Sequence, residues 1–187
     1  METQLENNNI SRILKLLNSG KSVLGIAQPN EYELFIPEIL LEVIPRPEEG
    51  SPRAVVICKN DDSAKAIFES TVKKTKSNDL TIDLILEKGN KLKQRNDLFD
   101  GTEIIIGTPK RICELYFQNG FNIGKLKLFV ILEIDEQMRA GNRGFISRLA
   151  ESLPKCRQLI FTRNAEDERT MFYTNEFVSQ ITFYEFQ

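Results

Sequence analysis

The chain contains no histidine. That removes imidazole acid–base catalysis, histidine-dependent triads and every zinc site built on imidazole. Cysteine is scarce. Cys58, Cys113 and Cys156 are far apart, follow no ligand spacing and sit beside apolar residues. They read as reduced thiols in or near a core, which suits a reducing compartment. Neither a metal nor a cofactor is expected. Long hydrophobic runs are also missing: the stretch Leu128–Leu132 is far too short to span a bilayer. The opening METQLENNN has no apolar core of a signal peptide. A soluble cytoplasmic protein with no membrane contact is expected. Charge excess is absent too, with 25 Lys and Arg against 27 Asp and Glu. Nothing in that balance draws the whole chain to a polyanion, so any nucleic-acid site must be a local patch.

What is present suits one domain over residues 1–187, with 41% hydrophobic and 28% charged residues. Short runs rich in Val, Ile and Leu predict strands at Ser22–Ala27, Ala54–Cys58, Leu80–Leu86, Glu103–Gly107, Leu128–Ile134, Gln158–Phe161 and Gln180–Phe186. Several lack polar alternation, as strands buried on both faces do. Helical periodicity marks Glu33–Val43, Asp62–Lys74, Pro109–Gln118, Gly144–Leu153 and Ala165–Thr174. Pro45–Pro52 reads as a loop. This alternation predicts a three-layer α/β/α domain with a mostly parallel sheet. In such sheets ligands bind beyond the carboxyl ends of the strands, so those junctions carry the functional information.

Six junctions stand out. The run Gly20–Gln28 leads into Pro29-Asn30-Glu31-Tyr32-Glu33-Leu34, and Phe129-Val130-Ile131-Leu132 leads into Glu133-Ile134-Asp135-Glu136. Gly107-Thr108-Pro109-Lys110-Arg111 ends a strand and opens a helix: Thr108 suits an N-cap and Pro109 the first helical position. Free N–H groups there, with Arg111 nearby, suit a phosphate; a plain strand–cap–helix junction with an exposed Arg suits the same residues. Leu86–Asn90 keeps one glycine, Gly89, beside Lys88, Lys91, Lys93 and Arg95. That cluster is either a phosphate contact or a solvated helix face. The last two are Cys58–Asp62 and Phe161–Asn164.

In order and spacing these junctions resemble the motifs of DEAD-box RNA helicases, over the first of that family's two RecA-like domains. The resemblance runs from about Ser11 to the last strand. It implies a P-loop NTPase-type fold, ATP chemistry and RNA contact, yet the matched positions depart from the family's pattern. Neither glycine of the phosphate cradle is present. Glu33 stands at its lysine and Leu34 at its threonine. Glu31 and Glu33 bring negative charge toward a triphosphate, and Pro29 removes an N–H donor. Leu132 replaces the Asp that orients Mg²⁺, while Glu133 and Asp135 match the family's Glu and last Asp. The adenine-reading motif is not recognisable around Ile10–Arg12. Gly107, Thr108, Pro109 and Arg111 resemble its RNA-backbone segment, and Gly89, with Lys88 before it, is the one glycine kept of its double-glycine loop.

The expectation is therefore a degenerate helicase-like domain, not an enzyme, with no ATPase activity and no second RecA-like domain. Its candidate partners are single-stranded RNA, held weakly, and a protein such as a helicase domain or a second copy. A residual helicase half completed by another chain is the alternative. The discriminating feature is electrostatic: an unbroken face of Lys88, Lys91, Arg111 and Arg163 favours RNA, and intervening carboxylates favour a protein.

Overall fold

The computed structural model describes residues 2–48 and 50–186. Its core is a seven-stranded sheet formed by β1 (Ser22–Ile26), β2 (Ala54–Ile57), β3 (Ile82–Ile85), β4 (Ile104–Gly107), β5 (Leu128–Ile131), β6 (Arg157–Thr162) and β7 (Ile181–Glu185). The order is β3-β4-β2-β5-β6-β1-β7, and every pairing is parallel. The expected three-layer architecture is present.

Strand alternation sends neighbouring residues to opposite faces, and both faces are apolar. Val23, Ala54, Val56, Ile106, Val130 and Leu159 join one core, capped by α1 (Glu2–Asn18), α2 (Tyr32–Val43) and α3 (Asp61–Thr75). Leu24, Val55, Ile57, Ile105, Phe129 and Ile160 join the other. That face is covered by α4 (Lys91–Phe99), α5 (Pro109–Phe117), α6 (Ile134–Gln137), α7 (Arg143–Glu151) and α8 (Glu168–Phe177). No helix among the described residues is long and apolar enough to cross a membrane. Pro45–Pro52 is free of helix and strand at its described residues, and residue 49 lies outside them.

The short helices Ile134–Gln137 and Met138–Asn142 were not anticipated, and three further elements differ from the sequence reading. Helix α1 was not anticipated, because three consecutive asparagines are poor helix formers. Its apolar stripe docks Ile13 and Leu17 into the first core, and Arg157 donates to the Leu17 carbonyl at 2.9 Å. Helix α4 forms where only a basic cluster was noted; the Asn90 side chain caps it by accepting the Lys93 N–H at 2.9 Å. Strand β5 ends three residues early, since Glu133 turns into the left-handed region at φ 50°, ψ 51°.

Because Leu17 is fully buried, Leu17→Ala should lower unfolding free energy by about 2–5 kcal/mol in urea melts, with the far-UV spectrum retained. A loss near zero would mean that α1 does not dock.

Candidate functional site at the carboxyl ends of the strands

All seven strands point the same way, so the junctions after β1, β2, β4, β5 and β6 meet along one edge. After β1 the chain makes a single 3-10 turn, Pro29–Glu31, and passes straight into α2. The Glu31 carboxylate accepts the Gln28 N–H at 2.7 Å, so one donor of this turn is already used. Tyr32 is buried among aromatic rings, 5.9 Å from Phe35 and 5.2 Å from Phe161 between centroids. Burial, and then the charges of Glu133 and Asp135, push its phenol far above the ordinary range, so it stays protonated. Asn30, Glu33 and Leu34 are exposed, Leu34 by 56%.

The centre of the edge is an ion cluster. Glu133 is 2% exposed. Its Oε1 accepts from Lys59 Nζ at 2.9 Å and from Arg163 Nη2 at 2.9 Å. Glu136 receives the same two cations, at 3.1 Å from Lys59 and 2.7 Å from Arg163. Burial works to raise the Glu136 carboxyl, but Lys59 and then Arg163 outweigh it and hold it below its ordinary value. Burial likewise opposes the charge on Lys59, and the hydrogen bonds to Glu133 and Glu136 reverse that, raising it. Asp135 is buried with one carboxylate oxygen lacking a hydrogen-bond partner. Gln137 donates to the carbonyls of Leu132 (2.6 Å) and Ile57 (3.2 Å), fixing the turn after β5 against β2. Sequence reasoning had not joined Lys59 and Glu136 to this place; no local signal links residues 74 and 77 positions apart. Among the described residues no group of Cys, Asp and Glu is arranged to hold a metal ion.

The second place is a groove of about 530 Å³ lined by Lys59, Asp61, Lys65, Lys88, Gly89 and Thr108. Gly107 is required by close packing: a Cβ there would lie 2.2 Å from the Ile85 carbonyl oxygen. Gly89 sits under Gln94, 1.9 Å from where its own Cβ would be. Thr108 has the extended backbone of an N-cap, with Pro109 following, but its hydroxyl makes no capping bond. Its Oγ1 is buried and without a hydrogen-bond partner. Arg111, offered by the sequence to a phosphate, is instead turned inward. Its guanidinium donates to the carbonyls of Gly89 (2.9 Å) and Glu87 and to Gln94 Oε1 (3.2 Å), clamping the β3–α4 loop to α5. Of the other cations, Lys91 meets Glu114 at 3.3 Å and Arg163 meets Glu133 and Glu136. Carboxylates therefore interrupt the face, and Lys88 and Arg163 are its exposed cations.

The profile of the DEAD/DEAH box helicase family matches residues 12–174, and the chain belongs to that family. It is 31% identical over 111 residues to the ATP-dependent RNA helicase RhlB of Pseudoalteromonas atlantica, covering 59% of this chain and 26% of that protein. It is 28% identical over 162 residues to the DEAD-box ATP-dependent RNA helicase CshB of Listeria monocytogenes, covering 84% of this chain and 36% of the relative. The chain thus spans a minor part of these relatives. A DEAD box protein of Methanococcus jannaschii superposes with a TM-score of 0.80 at 17% identity, over 94% of this chain and 48% of that one. Dbp5 of S. cerevisiae, solved with Nup159, Gle1, IP6 and ADP, gives 0.76 at 22% identity, over 94% and 46%. At these identities the structures establish the RecA-like fold.

These findings correct one expectation. The sequence reading set the chain outside the enzymes, on a few substituted positions. Family membership rests on similarity along residues 12–174, and the relatives are named ATP-dependent RNA helicases. The chain is a member of an enzyme family.

The cluster makes two expectations. Lys59→Ala or Arg163→Ala alone should cost about 1 kcal/mol, because Glu133 keeps one cation. The double variant should cost about 3 kcal/mol or more, since it leaves a buried carboxylate unpaired. A double-mutant cycle in urea checks this, and additive losses would contradict it. The second concerns pH. A carboxyl held low in the folded state stabilises above its unfolded value and loses that contribution as pH falls through the folded one. Stability should therefore decline below about pH 4.5, and Glu136→Gln should flatten that part of the pH–stability curve.

Proposed function

We propose that this domain serves an RNA-helicase assembly as a binding and regulatory module. Its loop Gln28–Leu34 does not hold Mg-ATP unaided, so ATP turnover requires a partner's contribution. The carrying observation is the state of Glu133, the carboxylate at the family's catalytic Glu. It is buried and already neutralised by Lys59 and Arg163. Arrival of Mg²⁺ there would have to break a satisfied ion cluster, and Leu132 has no oxygen to offer a hard cation. The β1 loop supports the same reading. Phosphate cradles use convergent backbone N–H groups, whereas here Glu31 occupies the Gln28 N–H and Tyr32 fills the space beside it.

RNA contact in this reading is weak and lies in the groove beside Thr108 and Lys88. Those residues, with the N-terminus of α5, suit a backbone phosphate. A protein partner, a helicase domain or a second copy of this chain, is the second reading. It is favoured by the carboxylates that meet Lys91 and Arg163 across the same face. A cytoplasmic setting accompanies both, supported by three free cysteines whose thiols burial raises.

Calorimetry with Mg-ATP tests the nucleotide claim. Absence of binding up to millimolar nucleotide is the expected result, and a Kd in the low micromolar range overturns it. For RNA, anisotropy with a labelled oligouridylate should give weak binding that falls with salt, and Lys88→Ala should weaken it further.

A further inference from the structure

The groove beside Thr108 carries an anion of the chain's own. Asp61, the first residue of α3, presents both carboxylate oxygens to the main chain of the β3–α4 loop. Oδ1 accepts the Glu87 N–H at 2.8 Å and Oδ2 accepts the Lys88 N–H at 3.0 Å. Two successive N–H groups converging on one anion form the kind of concavity that binds phosphate oxygens. Around it stand Lys59, Lys65 and Lys88, the N-terminus of the nine-residue α5 and the Thr108 hydroxyl. That hydroxyl is the independent sign of a ligand: Thr108 is 3% exposed, lines the groove, and its Oγ1 has no hydrogen-bond partner.

We propose that Asp61 is a built-in competitor for a backbone phosphate: its carboxylate fills the anion site of the groove and keeps RNA affinity low. This rests on the RNA reading above and adds its regulation. An intramolecular carboxylate competes at high effective concentration, so a phosphodiester must displace it before reaching the Glu87 and Lys88 amides. Asp61 also cancels charge. The groove is lined by Lys59, Lys65 and Lys88 against Asp61, Asp62 and Glu87, so removing Asp61 makes it more positive by one charge.

The test uses Asp61→Ala and Asp61→Asn, the second retaining side-chain shape in case the first fails to fold. Two probes are applied to the full chain: inorganic phosphate followed by amide NMR, and labelled oligouridylate followed by anisotropy. In the wild type, phosphate should leave the Glu87, Lys88 and Thr108 amides unmoved. In the variants it should shift all three. RNA affinity should rise about tenfold in Asp61→Ala, as expected for one more charge-assisted contact, and the salt dependence should steepen. Phosphate shifts without any RNA binding would uphold the role of Asp61 and overturn the RNA reading. Folded variants whose amides ignore phosphate, or whose RNA affinity is unchanged while the wild type binds, would overturn the competitor role.

Discussion

A parallel sheet must be covered on both faces, and right-handed crossovers return the chain each time to the same end. That constraint organises this molecule. It accounts for the near-continuous Val, Ile and Leu in the strands and for the two apolar cores. It also gathers Lys59, Thr108, Glu133 and Arg163 along one edge, although they are scattered through the sequence. The ion cluster and the groove exist because of this gathering, since local structure alone would place none of these side chains together.

Along that edge the chain repeatedly uses its own carboxylates as ligands. Glu31 takes the Gln28 amide, Asp61 takes those of Glu87 and Lys88, and Glu133 takes the two cations Lys59 and Arg163. Each is an anion held by donors of the kind that bind phosphate. Mobile salt screens such pairs less where one partner is buried, as Glu133 is.

Much of this was legible in the sequence, because hydrophobic period and turn chemistry are local. Six of the seven strands fall within a residue or two of their expected bounds at each end. The fifth runs short because a left-handed Glu133 cannot be read from an apolar run. Helix α1 escaped notice because its stability comes from docking Ile13 and Leu17 and not from propensity. At the site, residue types pointed to junctions that the fold brings to one edge, while the destinations of side chains stayed hidden. Arg111 looked like a free cation and is a clamp on carbonyls, and Thr108 looked like a side-chain cap and is not one. The Arg111 outcome depends on the β3–α4 loop, more than twenty residues away in sequence.

The strand order has a bearing on how the chain is made. β1 pairs only with β6 and β7, and the Ser22 hydroxyl accepts from a Gln158 N–H 136 positions later. A ribosome therefore releases an apolar strand that has no hydrogen-bonding neighbour until almost the whole domain has been synthesised. Such long-range closure slows folding and lengthens the time for which an unpaired edge is open to other chains. During that interval α1 and α2, which flank β1 in sequence, are the segments local enough to shield it.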